Sequence, residues 1–189
     1  MYAQPNNIGN GEAGSFQELF RKTMRRCANT VAIVAAGGGH GRVGFTATSY
    51  CCLSTTPPSI VICIGRATSA KSYFDVGSNF SINVLHSAQH ALAEVFAGRN
   101  GSHGEDRFRC GHWSQGMGSV PVLSEAMFSL ECEVVHLHDC RSDSIAVADV
   151  HGINLGSHVA PLIYHDAEFK LLSPHPIKMR PRAAQPTKS

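Results

Sequence analysis

Short apolar segments rich in β-branched residues recur along this chain, and only brief polar stretches separate most of them. Their length and spacing are typical of strands joined by turns. Strands are predicted at 30–36, 43–50, 59–65, 79–85, 128–134, 144–155, 160–164 and 169–172. Because only two or three helical segments lie between them, the pattern favours a mainly β fold, an antiparallel barrel with peripheral helices, over a parallel α/β sheet.

Two of these segments predict more than a simple strand. In 128–134, apolar and polar residues alternate, which indicates a strand that is buried on one face. The alternation shifts at Val135, and this shift predicts a β-bulge. Segment 144–155 is compatible with a pair of strands or with one long bent strand, and the periodicity leaves both open.

Residues 39–44 spell G-x-G-x-x-G, the fingerprint of dinucleotide-binding folds. That fingerprint requires a helix to begin at the motif, because the helix N-terminus holds the pyrophosphate. Here the following residues are β-branched and aromatic and predict a strand. We therefore interpret 37–42 as a hairpin turn.

Helical periodicity is clearest near the N-terminus. Ser15 and Glu18 form a capping-box pattern, which predicts a helix that begins at Ser15. Its apolar stripe comprises Phe16, Leu19, Phe20, Met24 and Cys27. A second helix is predicted at 88–97 and a short one at 68–76. Residues 98–115 form a long polar loop, and loops of that length are often functional.

Composition limits the classes of function. Apolar residues make up 43% and charged residues 16% of the chain. This predicts one globular domain at 15–172, with a disordered segment at 1–14 and a flexible basic tail at 173–189. The net charge of +2 gives no argument for nucleic acid, and no apolar run is long enough for a membrane. The seven cysteines include no C-x-x-C pair and the N-terminus resembles no secretory signal, so we expect a reducing, cytoplasmic location.

Residues 43–71 carry the strongest functional pattern. Small hydroxyl residues precede a predicted strand, and a polar group follows it, which we call the clamp: Arg66, Thr68, Ser69 and Lys71. Small side chains let backbone N–H groups approach a flat ring or a phosphate, while the cations and hydroxyls of the clamp suit a phosphate. The same composition is also typical of an ordinary strand, turn and helix start, and this stretch alone leaves both open.

Other chemistries have weaker support in the sequence. His136, His138 and Cys140 lie at strand spacing and offer a candidate metal site, but known structural sites use paired, short-spaced ligands. Cys51 and Cys52 lie beside the hydroxyl run, yet nothing assigns a base to either thiol. A barrel with small residues along one strand and a cationic clamp fits a flavin, whose own ring carries the redox chemistry.

Several segments together resemble the short-chain flavin reductases, the flavin-reductase-like branch of the FMN-binding split β-barrels. They run from about Phe16 to Leu172 and include TVAIVAA, GFTATSYCCLSTTPPSIVICIGRATSAKSY, NFSINVL, EVFAG, DRF, HWSQGMGSVPVL and PLIYHDAEFKLL. The resemblance implies a homodimeric reductase that transfers hydride from NADH or NADPH to FMN or FAD. Such enzymes often supply reduced flavin to a separate monooxygenase.

The resemblance also implies candidate cofactor-binding residues. The T-A-T-S-like run along the flavin ring corresponds to Thr46, Ala47, Thr48 and Ser49. The segment that holds the phosphate and ribityl chain corresponds to Arg66, Ser69 and Lys71, with Cys63 and Ala67 flanking it. Residues that border the far end of the cofactor correspond to Asn83, Phe96 and Ala97.

One departure from the family pattern concerns the nicotinamide. Many relatives carry an Asp-His-Thr-like run whose His lies by the nicotinamide, and this chain has Ser142-Asp143-Ser144 instead. A carboxylate at Asp143 would change the field at the site of hydride transfer, which makes it the candidate catalytic residue. The alternatives are that Asp143 is a solvated loop residue, or that the protein is a non-catalytic flavin-binding electron carrier or sensor.

Overall fold

The computed structural model describes residues 13–38, 41–157 and 159–172, and these are mostly strands. The strands are β1 Asn29–Thr30, β2 Ala32–Gly38, β3 Gly41–Ala47, β4 Tyr50–Thr55, β5 Pro58–Gly65, β6 Asn79–Val84, β7 Trp113–Gln115, β8 Pro121–Leu123, β9 Phe128–Cys140, β10 Asp143–Leu155, β11 Ile163–His165 and β12 Glu168–Lys170. The α-helices are α1 Ala13–Met24 and α2 His90–Phe96. Short 3-10 helices lie at Ser69–Tyr73, Ser87–Gln89, Gly104–Arg109 and Met117–Ser119.

A seven-stranded antiparallel sheet in the order β3-β2-β6-β9-β10-β5-β4 forms the body of the fold. Its two edge strands, β3 and β4, are consecutive in the chain, and only Thr48 and Ser49 join them. The sheet therefore curls until its edges meet, but no ladder of hydrogen bonds closes the gap. This is a split barrel, as predicted. A smaller sheet, β1-β11-β12, and the pair β7-β8 lie beside it.

Strand β2 is buried on both faces, which explains why its sequence is apolar without alternation. Ala32, Val34 and Ala36 face the core inside the curled sheet, together with Phe74, Phe80 and Ile62 among others. Val31, Ile33 and Ala35 face a second core on the outside. Partners in that second core are Leu85, Ala93, Phe96, Phe108, Leu123, Ala126 and Leu162. The outer core attaches α2 and the loop after it to the sheet.

Most of the predicted elements are confirmed. The G-x-G-x-x-G segment runs into β3, and β2 and β3 pair with Gly38 opposite Gly41, so the hairpin interpretation holds although 39–40 lie outside the described residues. The pairing of β9 with β10 skips Val135, which is the predicted bulge. Segment 144–155 is one long strand, β10.

Several boundaries differ from the predictions. Helix α1 begins at Ala13, two residues before the expected cap. The predicted helix at 68–76 is a 3-10 helix of five residues, because Thr68 gives it no side-chain cap and the chain returns to an extended conformation at Phe74. The predicted strand at 43–50 breaks at Thr48 and Ser49, where the chain crosses from β3 to β4. The predicted strand at 160–164 begins only at Ile163. The predicted disordered segment at 1–14 is wrong for Ala13 and Gly14, which belong to α1, while its other residues and the predicted tail at 173–189 lie outside the described residues.

The helices of the described chain are short or amphipathic. Neither α1 nor α2 has the length and apolar character that a bilayer crossing requires. On α1, Phe16, Leu19, Phe20 and Met24 form the predicted apolar stripe. This stripe is exposed, with Phe16 and Phe20 at 56% and 60% exposure, so it does not pack on the core of its own chain.

Asn83 forms the centre of a buried polar network inside the fold. Its Nδ2 donates to the carbonyl of Ile33 at 3.1 Å and to Ser81 Oγ at 2.8 Å. Its Oδ1 accepts from the backbone N–H of Leu123 at 2.8 Å and from Ser129 Oγ at 2.9 Å. The network joins β2, β6, β8 and β9, and every polar atom of the Asn83 side chain has a partner.

We predict that Asn83→Ala lowers the free energy of unfolding by about 3 kcal/mol, because it leaves several buried polar groups without partners. Urea denaturation followed by circular dichroism measures this. Asn29→Ala is the matched control, since the side chain of Asn29 is exposed and makes one long bond to Cys27, at 3.4 Å. An equal, small effect of both substitutions would contradict the structural role of Asn83.

Candidate functional site

A cavity of about 380 Å³ lies where β3, the 3-10 helix at Ser69–Tyr73, the end of α2 and the loop after it meet. We call it the main cavity. It is lined by residues 43–46 and 68–70 and by Phe96, Ala97, His103, Gly104 and Arg107. Much of this wall is backbone and small side chains. Ligand pockets usually enclose roughly 300–1,000 Å³, so the main cavity has the size of a small-molecule site.

A second cavity of about 170 Å³ adjoins the main cavity, and we call it the side cavity. Thr46 and Ala97 line both of them. The rest of its wall consists of Val31, Thr48, Arg99, Tyr164 and Phe169. Both cavities therefore open beside the split between the edge strands, where the sequence has its small hydroxyl residues.

Gly44 lets the wall of the main cavity form. A Cβ atom on Gly44 would lie 2.6 and 2.8 Å from two ring carbons of Phe96 and 3.1 Å from Phe108. Strand β3 can therefore touch these rings only because residue 44 has no side chain. Phe96, Phe108 and Trp113 also pack on one another, with ring centroids 5.0–5.4 Å apart.

Arg107 fastens the loop wall to the sheet and to α2. Its Nη1 donates to the carbonyls of Gly44 at 2.9 Å and Phe96 at 3.2 Å. Its Nε donates to the carbonyl of Ser102 at 3.0 Å. A half-buried guanidinium with three carbonyl partners holds the three sides of the cavity in one arrangement.

Arg42 and Glu105 tie the same loop to the start of β3. The Arg42 guanidinium forms an ion pair with Glu105 and lies 4.6 Å from the ring centroid of Phe108. The hydrogen bond from Arg42 lowers the pKa of Glu105. Because Glu105 is mostly exposed, this contact orients the loop more than it stabilises the fold.

The hydroxyl run lies along the split. Thr46 Oγ1 donates to the carbonyl of Ala93 at 2.6 Å, which leaves its oxygen as an acceptor towards the two cavities. Ser49 is exposed, and its Oγ donates to the carbonyl of Cys63 at 3.3 Å, while Cys63 N–H donates to the carbonyl of Ser49 at 3.0 Å. These bonds join the start of β4 to β5. Ala47 is buried beneath them.

The clamp begins where β5 ends. Thr68 and Ser69 line the main cavity, whereas Arg66 and Lys71 lie next to those residues and outside the lining. Thr68 Oγ1 donates to the carbonyl of Gly65 at 2.7 Å, which fixes the turn. Ala67, within this turn, is exposed. The clamp therefore contributes Thr68 and Ser69 to the wall of the main cavity, while Arg66 and Lys71 are their neighbours in the chain.

Arg66 is held from the neighbouring end of the sheet. Its N–H donates to the carbonyl of Ser142 at 3.0 Å, and its Nη1 donates to the carbonyl of Arg141 at 3.2 Å. Its Nη2 lies 3.5 Å from Asp139 Oδ2. The pKa of Asp139 is lowered, first by the hydrogen bond from Ser144 and then by Arg66 and Lys71.

Asp143 belongs to strand β10 and is half-buried, so it is not the solvated loop residue of the alternative interpretation. It pairs with Gly65, directly before Arg66, and its Oδ2 accepts from Ser142 Oγ at 2.6 Å. Burial, and next the charge of Asp143, raise the pKa of the Cys63 thiol. Asp143 therefore lies beside the clamp and outside the lining of the main cavity.

Three predicted site residues, Asn83, Phe96 and Ala97, have surroundings that the sequence did not indicate. Asn83 lies in the buried network described above and lines neither cavity, because all its side-chain polar atoms are bonded within the fold. Phe96 is almost fully buried and reaches the main cavity as part of the aromatic wall. Ala97 is exposed and separates the two cavities.

The metal and thiol alternatives gain no support from the geometry. His136, His138 and Cys140 are exposed at the end of β9, and the described residues contain no group of three metal ligands. Cys51 and Cys52 are exposed on β4, and all seven cysteines are free. Burial raises the pKa of Cys132 to about 12, so this thiol is inert.

Sequence reasoning gave no role to Arg107, His103 or Gly104 of the main cavity, nor to Arg99 of the side cavity. Two features of the sequence indicated the region in which these residues lie. Residues 98–115 were predicted to form a long polar loop, a kind that is often functional, and DRF at 106–108 was among the segments that carry the family resemblance. Neither signal says which carbonyls a guanidinium would reach, because those partners come from distant elements.

Comparison with known proteins agrees with this architecture. The family model described as "Flavin reductase like domain" matches residues 24–173. The chain is 32% identical over 164 residues to the 4-hydroxyphenylacetate 3-monooxygenase reductase component of Salmonella typhi, and the match covers 87% of this chain and 94% of that protein. It is 29% identical over 153 residues to an FMN reductase (NADH) of Methylorubrum extorquens, and that match covers 81% of this chain and 75% of the relative.

A solved structure gives the same result for the fold. The chain is similar to BorF, the flavin reductase component of a bacterial two-component tryptophan halogenase. The TM-score is 0.75 at 25% identity, and the similarity covers 84% of this chain and 99% of BorF.

We predict that Gly44→Ala destabilises the fold by about 2 kcal/mol, because the added methyl group must displace the ring of Phe96. Thermal unfolding measures the loss, and near-ultraviolet circular dichroism reports the displaced aromatic cluster. Gly14→Ala in α1 is the control, since a Cβ there meets nothing within 4 Å. Wild-type stability and an unchanged aromatic signal in Gly44→Ala would contradict this account of the wall.

Proposed function

The chain belongs to the flavin reductase-like family, and we propose that it is an NAD(P)H:flavin oxidoreductase acting on FMN or FAD. The observation that carries the proposal is the main cavity, to whose wall the clamp contributes Thr68 and Ser69. A flat ring needs a wall that backbone can approach closely, and a phosphate needs cations and hydroxyls. The main cavity combines the backbone of β3 with the hydroxyl residues Thr68 and Ser69, and the cations Arg66 and Lys71 lie beside these two residues in the chain.

The wall of the main cavity fits a flavin. Because Gly44 has no side chain, β3 lies directly against the aromatic rings beneath it. Thr46 keeps an oxygen free as an acceptor after its own hydrogen bond. A bound flavin supplies the chemistry itself, since its ring accepts a hydride from the reduced nicotinamide. This chemistry requires no side-chain nucleophile.

The residues of this chain bind and orient the reactants. We assign Thr46, Ala47, Thr48 and Ser49 to the ring and Arg66, Ser69 and Lys71 to the phosphate, with Cys63 and Ala67 beside them. Arg107 keeps the loop wall in place through its three carbonyl bonds. Fixed orientation of hydride donor and acceptor is the main contribution that a site without catalytic side chains can make.

Asp143 is the residue that we propose beside the nicotinamide. It is half-buried at the end of the sheet, next to Gly65 and the clamp. A carboxylate there would disfavour additional negative charge and so influence the choice between the two nicotinamide nucleotides.

We also propose a partner and an assembly. One relative is named as the reductase component of a monooxygenase, so reduced flavin from this protein would pass to a separate monooxygenase.

The exposed apolar stripe of α1 supports a homodimer in which a second copy covers the stripe. Seven free cysteines support the proposed cytoplasmic location.

We predict that the purified protein reduces FMN or FAD with NADH or NADPH. Anaerobic stopped-flow, following the visible absorbance of the flavin, measures this directly. Fast bleaching with one nucleotide identifies the donor. Flavin that binds without bleaching under any condition would contradict the reductase and favour an electron carrier or sensor.

The same assay tests the clamp. We expect Lys71→Ala to raise KM for FMN about tenfold and to leave KM for riboflavin nearly unchanged, because riboflavin has no phosphate. Lys22→Ala is the control, since Lys22 lies on α1 and pairs with Glu18. Equal effects on FMN and riboflavin would show that Lys71 does not contact the phosphate.

We predict a dimer in sedimentation velocity experiments and a monomer for Phe16→Glu/Phe20→Glu, because two carboxylates replace the centre of the apolar stripe. Arg21→Glu on the polar side of α1 changes the charge without touching the stripe and should remain dimeric. A monomeric wild-type protein would overturn the proposed dimer. A double variant that remains dimeric would show that the dimer interface does not include the apolar stripe of α1.

A further inference from the structure

The side cavity has walls of a different chemical kind from those of the main cavity. The rings of Tyr164 and Phe169 form one wall, with centroids 5.5 Å apart and planes inclined by 61°. The guanidinium of Arg99 lies 5.8 Å from the centroid of Phe169, and its Nη2 is 3.4 Å from the Tyr164 hydroxyl. A cation and two aromatic rings thus meet at a cavity of about 170 Å³.

The end of α2 determines where Arg99 lies. Gly98 has a φ of +76°, and its N–H donates to the carbonyl of Val95, while Arg99 N–H donates to the carbonyl of Glu94. These two bonds form a Schellman motif, in which the left-handed glycine turns the chain off the helix axis. The turn places Ala97 between the two cavities and Arg99 at the side cavity.

Arg99 has a weak partner within its own chain. Its Nη1 lies 3.8 Å from Glu94 Oε1, and both side chains are about half exposed. Exposed pairs of this kind contribute little to stability. The guanidinium can therefore exchange this carboxylate for a phosphate, which it binds through two parallel hydrogen bonds.

We propose that the side cavity binds the adenosine phosphate half of a dinucleotide. Its volume suits one aromatic base, the rings of Tyr164 and Phe169 supply the surface against which a base stacks, and Arg99 supplies the counter-charge for the phosphate. Thr46 and Ala97 are common to both cavities, so a ligand can extend from one to the other. This inference rests on the proposed function, because it assigns one end of that substrate.

Two dinucleotides carry this chemistry in such a reaction: the nicotinamide donor, and FAD. The shared group is adenosine phosphate, and the experiment below separates the two sources. Either source makes the side cavity the part of the site that distinguishes a dinucleotide from a mononucleotide.

The first test measures binding without turnover. Isothermal titration calorimetry with ADP-ribose, which has no nicotinamide, should show binding to the wild-type protein and about tenfold weaker binding to Arg99→Ala and Phe169→Leu. Phe169→Tyr keeps the ring and should retain the wild-type affinity. Arg109→Ala is the matched control, since Arg109 is a mostly exposed guanidinium that pairs with Asp106. Wild-type affinity in Arg99→Ala and Phe169→Leu would overturn the proposal.

The second test separates the sources by steady-state kinetics. If the nicotinamide donor fills the side cavity, Arg99→Ala raises KM for NADH about tenfold but leaves KM for reduced nicotinamide mononucleotide, measured with FMN, unchanged. If FAD fills it, the same variant raises KM for FAD but not for FMN. A variant that affects mononucleotides and dinucleotides equally would overturn the proposal.

The two tests also separate this proposal from the proposed function. A wild-type protein that reduces flavin while Arg99→Ala behaves like Arg109→Ala overturns only the side-cavity proposal. A wild-type protein that reduces no flavin overturns the reductase, whatever the calorimetry shows. Thermal unfolding of each variant verifies that it is folded, and Arg99→Gln, which removes the charge but keeps a long polar side chain, replaces Arg99→Ala if the latter does not fold.

Discussion

Two residues, Thr48 and Ser49, join the edge strands of a seven-stranded sheet, and the rest of the structure depends on that short connection. A chain of this length spans at most about 10 Å from Ala47 to Tyr50, so the edges must come together and the sheet must curl. The curl encloses one core and leaves an open split. Because the connection itself crosses the split, its small hydroxyl residues line the place where a ligand can enter.

The second constraint is that β2 is buried on both faces. Its inner face fills the curled sheet, and its outer face attaches α2 and the loop with Phe108. That outer packing carries Phe96 under Gly44 and brings Arg107 to the carbonyls that it binds. The wall of the main cavity is therefore a consequence of core packing, and changes far from any ligand, such as a displaced Phe96, alter its shape.

The sequence predicted those features that depend on local pattern. Alternation in 128–134 predicted β9 and its bulge at Val135, and the β-branched residues after the G-x-G-x-x-G segment excluded a helix there. The exposure of the α1 stripe was not predicted, because periodicity shows that a helix has an apolar face but does not show what covers that face.

The site was predicted less completely than the fold. The hydroxyl run and the clamp come from one continuous stretch, so their proximity could be inferred, whereas Arg99, Arg107 and Tyr164 meet this stretch only through tertiary packing. Asn83 is the opposite case. The family resemblance assigned it to the cofactor, but all its side-chain polar atoms are bonded inside the fold.

The charges around the clamp bear on how tightly a phosphate is held. The positive charge of Arg66 and Lys71 is partly balanced by Asp139. This carboxylate lies 3.5 Å from Arg66, and both cations lower its pKa. An incoming phosphate must compete with this carboxylate, and Asp143 adds a second negative charge close by. The competing pair is half exposed, so it lowers the affinity modestly without blocking the site. An anion held against such competition can exchange with solvent, and exchange is what a protein that passes reduced flavin to a separate oxygenase requires.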